Sequence, residues 1–577
     1  MVTFGIKLMQ TKEYIVILED GIDYNTVWND IENITSGLPH IPDRAVSIVN
    51  NRDVQPRMCH YALTDDEAEK LQSDPRVLAV ERPPEQIGLF PVTPVVFGPS
   101  NSNVTFTIPP QNNASGNHVN WSLIRNSYPN NTYANTTNTT KEYAYVLDGS
   151  GVDVVIMDTG IEYYHPEFKD KSGNIRIVLQ NWTSNLDTTP NSINFSDTNG
   201  HGTASASLAA GLNYGWARNA TIYPCKIGTK NQEGLDFAVA CDAITTWHKA
   251  KTNGRPTIVL GEVTYLLSKE SISVTSINYR NGGDIPANSA DPAKGMATHT
   301  NTLLIVDFPT GSIGLGSSQG QTTRVPSIDT AVENMITNGI IFVTAAGNQG
   351  VKIAEPTPSS NKTNDYWNYW NGTINGVNYP IGYRYYNRGP SPCTPNSIVT
   401  GAMMPGLNSS SKNYKASFSN AGYNVTVFTP GYNVRSATSN TTTASPNAPY
   451  FLNGSFKQTN FTGTSAACPQ IAGIVALYLQ ANPTATQAQV KSWLISNADY
   501  NGMYTTGQSD DYTNYQSQWG GNAGVAYQNI KGLFYVKDST GAWKQVKTVW
   551  VNDNGTWKQV NTTYHNINGT WTPTYTG

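Results

Sequence analysis

This chain of 577 residues is poor in charge. Asp, Glu, Lys and Arg make up 14% of it, against about 25% in typical globular chains. Asn, Thr, Ser, Gly and Tyr fill the difference, which suits an extended, β-rich or particle-exposed protein. A net charge of −4 offers no basic footprint, so no nucleic-acid partner is expected. No apolar run reaches the roughly 18 residues of a membrane span, so none is expected. The amino terminus, MVTFGIKLMQTKE, lacks the basic start, apolar stretch and small-residue cleavage site of a signal peptide. A virion-associated or intracellular location is the corresponding expectation. The many Asn-x-Ser/Thr triplets then reflect composition rather than glycosylation. Cysteine is also scarce. The five residues Cys59, Cys225, Cys241, Cys393 and Cys468 are odd in number and show no Cys-x-x-Cys spacing. That pattern indicates neither a disulfide framework nor a zinc site, and buried free thiols are expected.

Three short fragments supply what the composition does not. Val154 to Met157 is an apolar run that ends on Asp158-Thr159-Gly160. An unbroken run of this kind reads as a strand buried on both faces, in a parallel sheet. Its carboxylate then lies at the carboxyl edge, where open α/β sheets place their ligands. His201 follows between Gly200 and Gly202 and precedes the small-residue stretch Thr203 to Gly211, which predicts a tightly packed helix opening at His201. Ser465 stands in Gly463-Thr464-Ser465-Ala466-Ala467-Cys468-Pro469, ahead of the apolar stretch Ile471 to Leu479. It too is predicted at the start of a buried helix, where backbone N–H groups can hold a developing oxyanion. Carboxylate, imidazole and hydroxyl are the parts of an activated serine: Ser465 attacks, His201 takes its proton and Asp158 orients His201. A fourth fragment, Ile340 to Ala346 followed by Gly347-Asn348, reads as a strand ending on a side-chain amide that can donate to the oxyanion.

With these residues in place, the chain resembles the subtilisin-like serine proteases, whose triad runs in the order Asp, His, Ser. The matching fragments are DTGIEYYHPEF (158–168), NGHGTASASLAAG (199–211), FVTAAGNQG (342–350) and GTSAACPQIAGIVALYLQ (463–480). Pro256 to Gly261 resembles the family's substrate-side strand, and Asn120-Trp121-Ser122-Leu123 the start of a mature enzyme. The resemblance implies an α/β fold: a three-layer α/β/α domain with a parallel central sheet. It implies Asp158, His201 and Ser465 as the triad, Asn348 as the oxyanion donor, and Gly261 and Gly347 as substrate-binding positions. It implies a polypeptide substrate and no cofactor for the chemistry. Family members often bind calcium, but no site matches here residue by residue, so the metal ligands stay unknown. Ala466, Cys468 and Gln470 depart from the usual residues at packing positions, and the substrate-side strand lacks the expected Asn-x-Ser before its glycine. His165 reads as a structural turn residue.

Residues 1–85 read as a small α/β unit with strands at Tyr14–Leu18, Met58–Leu63 and Val77–Glu81, a helix over Thr26–Ile34, and a second helix capped by Thr64. The order resembles the family's inhibitory prosegment, which implies that this unit is a partner of the protease domain. Residues 86–117 read as a linker holding the processing site, and residues 118–505 as the protease domain. Residues 506–577 form an extension with a 14-residue repeat: Trp543, Trp557 and Trp571 recur at that interval, with Asn554-Gly555 and Asn568-Gly569 as hairpin turns. Such repeats resemble tail regions of phage structural proteins and bring in viral particle proteins as further partners. The expected function is therefore a self-processing serine endopeptidase. The alternative is an inactive subtilase-fold component of a viral particle.

Overall fold

The computed structural model describes residues 11–92, 121–127, 147–267, 321–353, 389–404, 413–499 and 503–505, with short breaks. It also describes paired strands between 367 and 387 and three hairpins between 534 and 576. Most of the linker expected to hold the processing site lies outside the described residues, as does 268–320.

The amino-terminal unit contains β1 (Lys12–Leu18), α1 (Tyr24–Glu32), β2 (Ser47–Asn51), β3 (Met58–Leu63), α2 (Asp65–Gln72) and β4 (Val77–Glu81). Its sheet has the order β2-β3-β1-β4, and every pair in it is antiparallel. Val16, Leu18, Tyr61, Leu63 and Val77 from the strands meet Val27, Ile31 and Leu71 from the helices in one core. Thr64 and Glu67 close a capping box at the start of α2, satisfying two backbone donors reciprocally. Strand β2 has no counterpart among the expected elements. It is an exposed edge strand, Ile48 and Val49 facing solvent, so it lacks the alternating burial by which strands are read.

The central sheet has eight strands. At its heart lie β6 (Asp153–Asp158), flanked by β7 (Thr221–Lys226) and β8 (Thr257–Gly261), then the strands Ile341–Ala345 and Ile398–Met404. These neighbours are all parallel. The sheet is not parallel throughout: Asn413–Lys415 runs antiparallel to Ile398–Met404. The chain has only residues 405–412 in which to return, too few for the crossover a parallel partner needs.

Strand residues alternate between two cores. Val154, Ile156, Ile258 and Leu260 face the side of α4 (His201–Ala210) and α7 (Thr464–Ala481). Val155, Met157, Val259 and Phe342 face α5 (Phe237–Ala250) and α6 (Pro326–Thr337). This two-sided burial explains the unbroken apolar runs. The expected three-layer α/β/α arrangement follows from it. Strands Val434–Thr438, Asn447–Tyr450 and Asn453–Phe461 form a further sheet, and Val434, Tyr450 and Phe461 pack with Ala204 and Leu208 of α4.

The amino-terminal unit rests on α5 and α6. Gln55 Nε2 donates to Asp242 Oδ1 at 2.7 Å, Asn334 Nδ2 to the Val54 carbonyl at 2.9 Å, and the Ser327 N–H to Glu81 Oε1 at 3.2 Å. Beyond it, β5 (Pro91–Val92) pairs antiparallel with β9 (Thr264–Leu267), which begins just past β8. In the carboxyl-terminal extension, strand pairs Phe534–Lys537 with Trp543–Val546, Trp550–Asp553 with Thr556–Gln559, and Thr562–Ile567 with Thr570–Thr576 make three antiparallel hairpins. The last two bracket the Asn-Gly dipeptides. Among the described residues no helix is long and apolar enough to cross a membrane.

Candidate functional site

Asp158 is the last residue of β6 and is fully buried. Its Oδ1 accepts the Thr159 N–H at 2.7 Å, and both carboxylate oxygens lie against His201 Nδ1, at 2.8 and 2.9 Å. His201 opens α4. The glycine after it is required by space: a Cβ on Gly202 would lie 2.2 Å from the Gly160 carbonyl oxygen. Helix start and strand end are thereby pressed together, which brings Asp158 within reach of the imidazole. Phe461 stands edge-on to the His201 ring at 5.1 Å and walls it from one side.

A residue outside the recognised motifs holds this helix start. Asp197 is buried, and its Oδ1 accepts the Gly200 N–H (2.7 Å), the Asn199 N–H (3.1 Å) and the Thr159 hydroxyl (2.9 Å). Its Oδ2 accepts the Thr203 N–H (2.9 Å) and hydroxyl (2.6 Å). One carboxylate thus caps α4 and ties it to the turn after β6. Burial pushes its carboxyl pKa up, against the pull of these hydrogen bonds.

Ser465 lies in the first turn of α7 and is fully buried. Gly463, just before the helix, takes φ +143°, a conformation L side chains rarely adopt. No hydrogen bond joins His201 to Ser465: His201 Nε2 and Ser465 Oγ are both buried and without a partner. Such contacts often tighten only when substrate is bound. Asn348 follows the strand Ile341–Ala345, and its Oδ1 accepts both the N–H and the hydroxyl of Thr464 at 2.8 Å. With the oxygen so fixed, the NH2 group is the donor end of the amide, next to the residue that precedes Ser465. The Gly347 N–H donates to the Thr464 hydroxyl at 3.2 Å. Gly261 ends β8, and the place of a side chain there is taken by the Phe342 ring, 2.8 Å from a built Cβ. Gln470 spans the Ala466 and Pro430 carbonyls with its amide nitrogen at 2.7 and 2.6 Å.

Sequence reasoning passed over Glu262. Register places it beside Asp158, because Met157 pairs with Gly261 across two parallel strands. It is fully buried, Ser205 of α4 donates its hydroxyl to Oε2, and Oε1 has no partner. Oxygens of Asp158 and Glu262 and a nitrogen of His201 lie within 4.8 Å of one another. Burial first, and the Asp158 charge second, hold the Glu262 carboxyl well above the usual carboxylate range. The available signal was its position, an acid directly after the glycine that ends β8. These three groups do not make a calcium site, which takes six to eight oxygens, and no calcium ligands are assigned.

His165 is buried away from this chemistry. Nδ1 accepts the Glu167 N–H at 3.2 Å and Nε2 donates to the Lys457 carbonyl at 3.0 Å, a neutral tautomer. Burial accordingly pushes its pKa down. All five cysteines are buried free thiols, and burial raises the Cys468 thiol well above its ordinary value, assisted by Glu262.

Comparison with known proteins extends the likeness. Alkaline serine exoprotease A of Vibrio alginolyticus is 24% identical over 436 residues, covering 76% of this chain and 54% of that protein. Extracellular serine proteinase of Thermus sp. (strain Rt41A) is 25% identical over 366 residues, covering 63% of this chain and 60% of that protein. The chain thus spans little more than half the length of these curated relatives. The crystal structure of a cold adapted subtilisin-like serine proteinase aligns at 21% identity, covering 72% of this chain and 99% of that one, with a TM-score of 0.42. The model of the subtilase family matches residues 149–521, well over half of the sequence, and on that match the chain belongs to the subtilase family.

Proposed function

We propose that this protein is a serine endopeptidase whose triad is Asp158, His201 and Ser465. The observation that supports it most is the buried Asp158–His201 hydrogen bond, with a buried serine at the start of the helix packed beside α4. Ser465 Oγ attacks the scissile carbonyl and passes its proton to His201 Nε2. That proton then goes to the leaving amine, and water attacks the acyl-enzyme by the same route in reverse. Asp158 fixes the proton on Nδ1 and stabilises the imidazolium. Asn348 Nδ2 and the Ser465 N–H hold the oxyanion. The substrate is a polypeptide, with Gly261 and Gly347 as backbone contacts. The amino-terminal unit acts as a prosegment that the enzyme severs from itself. Its seat on α5 and α6, and the β5–β9 pairing just beyond the substrate-side strand, support that reading. The chemistry calls for no cofactor.

The test is a fluorophosphonate probe. One equivalent is expected on Ser465, with peptide hydrolysis lost in step, and neither label nor hydrolysis in Ser465→Ala. Triad loss costs about 10⁶ in turnover in subtilisin, a member of this family. A chain that takes no label and cleaves no peptide would be a silent particle component instead.

A further inference from the structure

The Asp158–His201 couple has an unusual neighbour. Two fully buried carboxyl groups, Asp158 and Glu262, lie within 4.8 Å of each other. Only one of them has a cation-forming partner, since His201 Nδ1 sits on Asp158 at 2.8 and 2.9 Å. Like charges so close and so buried do not both ionise; one carboxyl keeps its proton. Asp158 is the one that accepts charge-favouring donors, the imidazole N–H and the Thr159 N–H. Glu262 receives only neutral side-chain donors, the Ser205 hydroxyl and the Cys468 thiol, and its Oε1 is unpartnered.

The position of Glu262 is as telling as its charge. Ser205 lies one turn along α4 from His201, and Cys468 one turn along α7 from Ser465. Glu262 reaches both, because the Cys468 thiol is its neighbour on the α7 side. The groups facing it are therefore Asp158 from β6, His201 and Ser205 from α4, and Cys468 from α7. It stands where the strand layer meets the two helices that carry the imidazole and the hydroxyl.

We infer that Glu262 is a positioning residue: an un-ionised carboxyl, wedged between the two catalytic helices, that leaves Asp158 the sole anion facing His201. Its effect runs through Asp158. An ionised acid at this distance would add a second negative charge beside the imidazole and hold its proton more tightly, and an un-ionised one does not. The inference rests on the triad proposed above for its consequence in catalysis, but not for the protonation state itself.

Infrared difference spectroscopy on the full-length Ser465→Ala protein decides the protonation state. At pH 7, Glu262→Gln is expected to remove a carboxylic-acid carbonyl band and leave carboxylate absorption intact. Loss of carboxylate absorption instead would overturn the inference. In the active chain, Glu262→Leu removes both the donor and the acceptor for Ser205. It is expected to lower kcat by about tenfold to a hundredfold per labelled site, with KM within about twofold, and to move the acid limb of the pH profile by up to about one unit. Glu262→Gln keeps the size and a donor, and is expected to recover most of that turnover and restore the limb. Activity per fluorophosphonate-labelled site discounts misfolded protein. If Leu and Gln behave alike and the limb stays put, Glu262 is packing and the positioning role falls. If the chain proves to have no hydrolytic activity, the triad reading falls while the infrared result still decides Glu262.

Discussion

Asn348 and Asp197 show how differently two polar residues serve the same few ångströms. Asn348 has its amide oxygen tied to Thr464, so its nitrogen is oriented before any substrate arrives. Asn348→Ala is expected to lower kcat by about 10²–10³, the magnitude known for the corresponding loss in subtilisin, with little change in KM. A raised KM at unchanged kcat would make it a binding residue. Asp197 touches no reacting group, yet five donors converge on it. Asp197→Ala leaves them buried without an acceptor and is expected to cost roughly 2–4 kcal/mol of stability. Denaturant unfolding of the Ser465→Ala background checks this, and a loss below about 0.5 kcal/mol would show that other acceptors replace it. Asp158, His201, Ser465 and Asn348 were legible in sequence because glycines and apolar runs mark where strands end and helices begin. Asp197 and Glu262 were not. Nothing local distinguishes an acid in a loop or after a strand, and only the strand register and the packing of α4 reveal what each one faces.

At the level of elements, the two-sided burial of β6 and the capped start of α2 were readable because an apolar run and a capping box are local signals. The edge strand β2 and the antiparallel Asn413–Lys415 pairing were not, since each depends on a partner far along the chain or on loop length. The contact between β4 and α6 is of this second kind. Glu81 is only part-exposed, and its carboxyl is enclosed against the Ser327 N–H at the α6 start. Burial pushes its pKa from 4.5 to about 7, with Asp329 and Glu85 adding to the effect against the Ser327 hydrogen bonds. The docked carboxyl therefore binds a proton more readily than the undocked one. Its contribution to docking is full below pH 4.5 and is lost as the pH rises through about 7. In the Ser465→Ala protein, hydrogen-exchange protection of residues 12–81 is expected to fall by about tenfold or more between pH 5 and pH 8, after correction for intrinsic exchange. Glu81→Gln is expected to flatten that dependence. An unchanged pH dependence in Glu81→Gln would assign the effect to other groups.

For the molecule as a whole, the decisive relation is between the amino-terminal unit and the domain it sits on. The unit has its own core and its own sheet, yet its exit strand β5 is paired with β9, immediately beyond β8. That pairing sets Val92 opposite Thr264, just past the carboxyl end of β8 and on the edge of the central sheet where Asp158 and His201 meet. A peptide tethered there has an effective concentration of order millimolar, so cleavage of the tether outruns any encounter between molecules. The wild-type protein is accordingly expected to cut itself once, between residue 92 and Val119, at a rate that does not change on dilution. The Ser465→Ala protein is expected to stay full length with the unit docked. Intact mass of both proteins, freshly made in a protease-deficient host across a hundredfold range of concentration, checks each part. Full-length wild type that hydrolyses peptides well would show that residues 12–92 neither block the cleft nor need removal. A cut that slows on dilution would show that one molecule processes another. A cut in Ser465→Ala would show that the scissile bond is opened by something other than this triad.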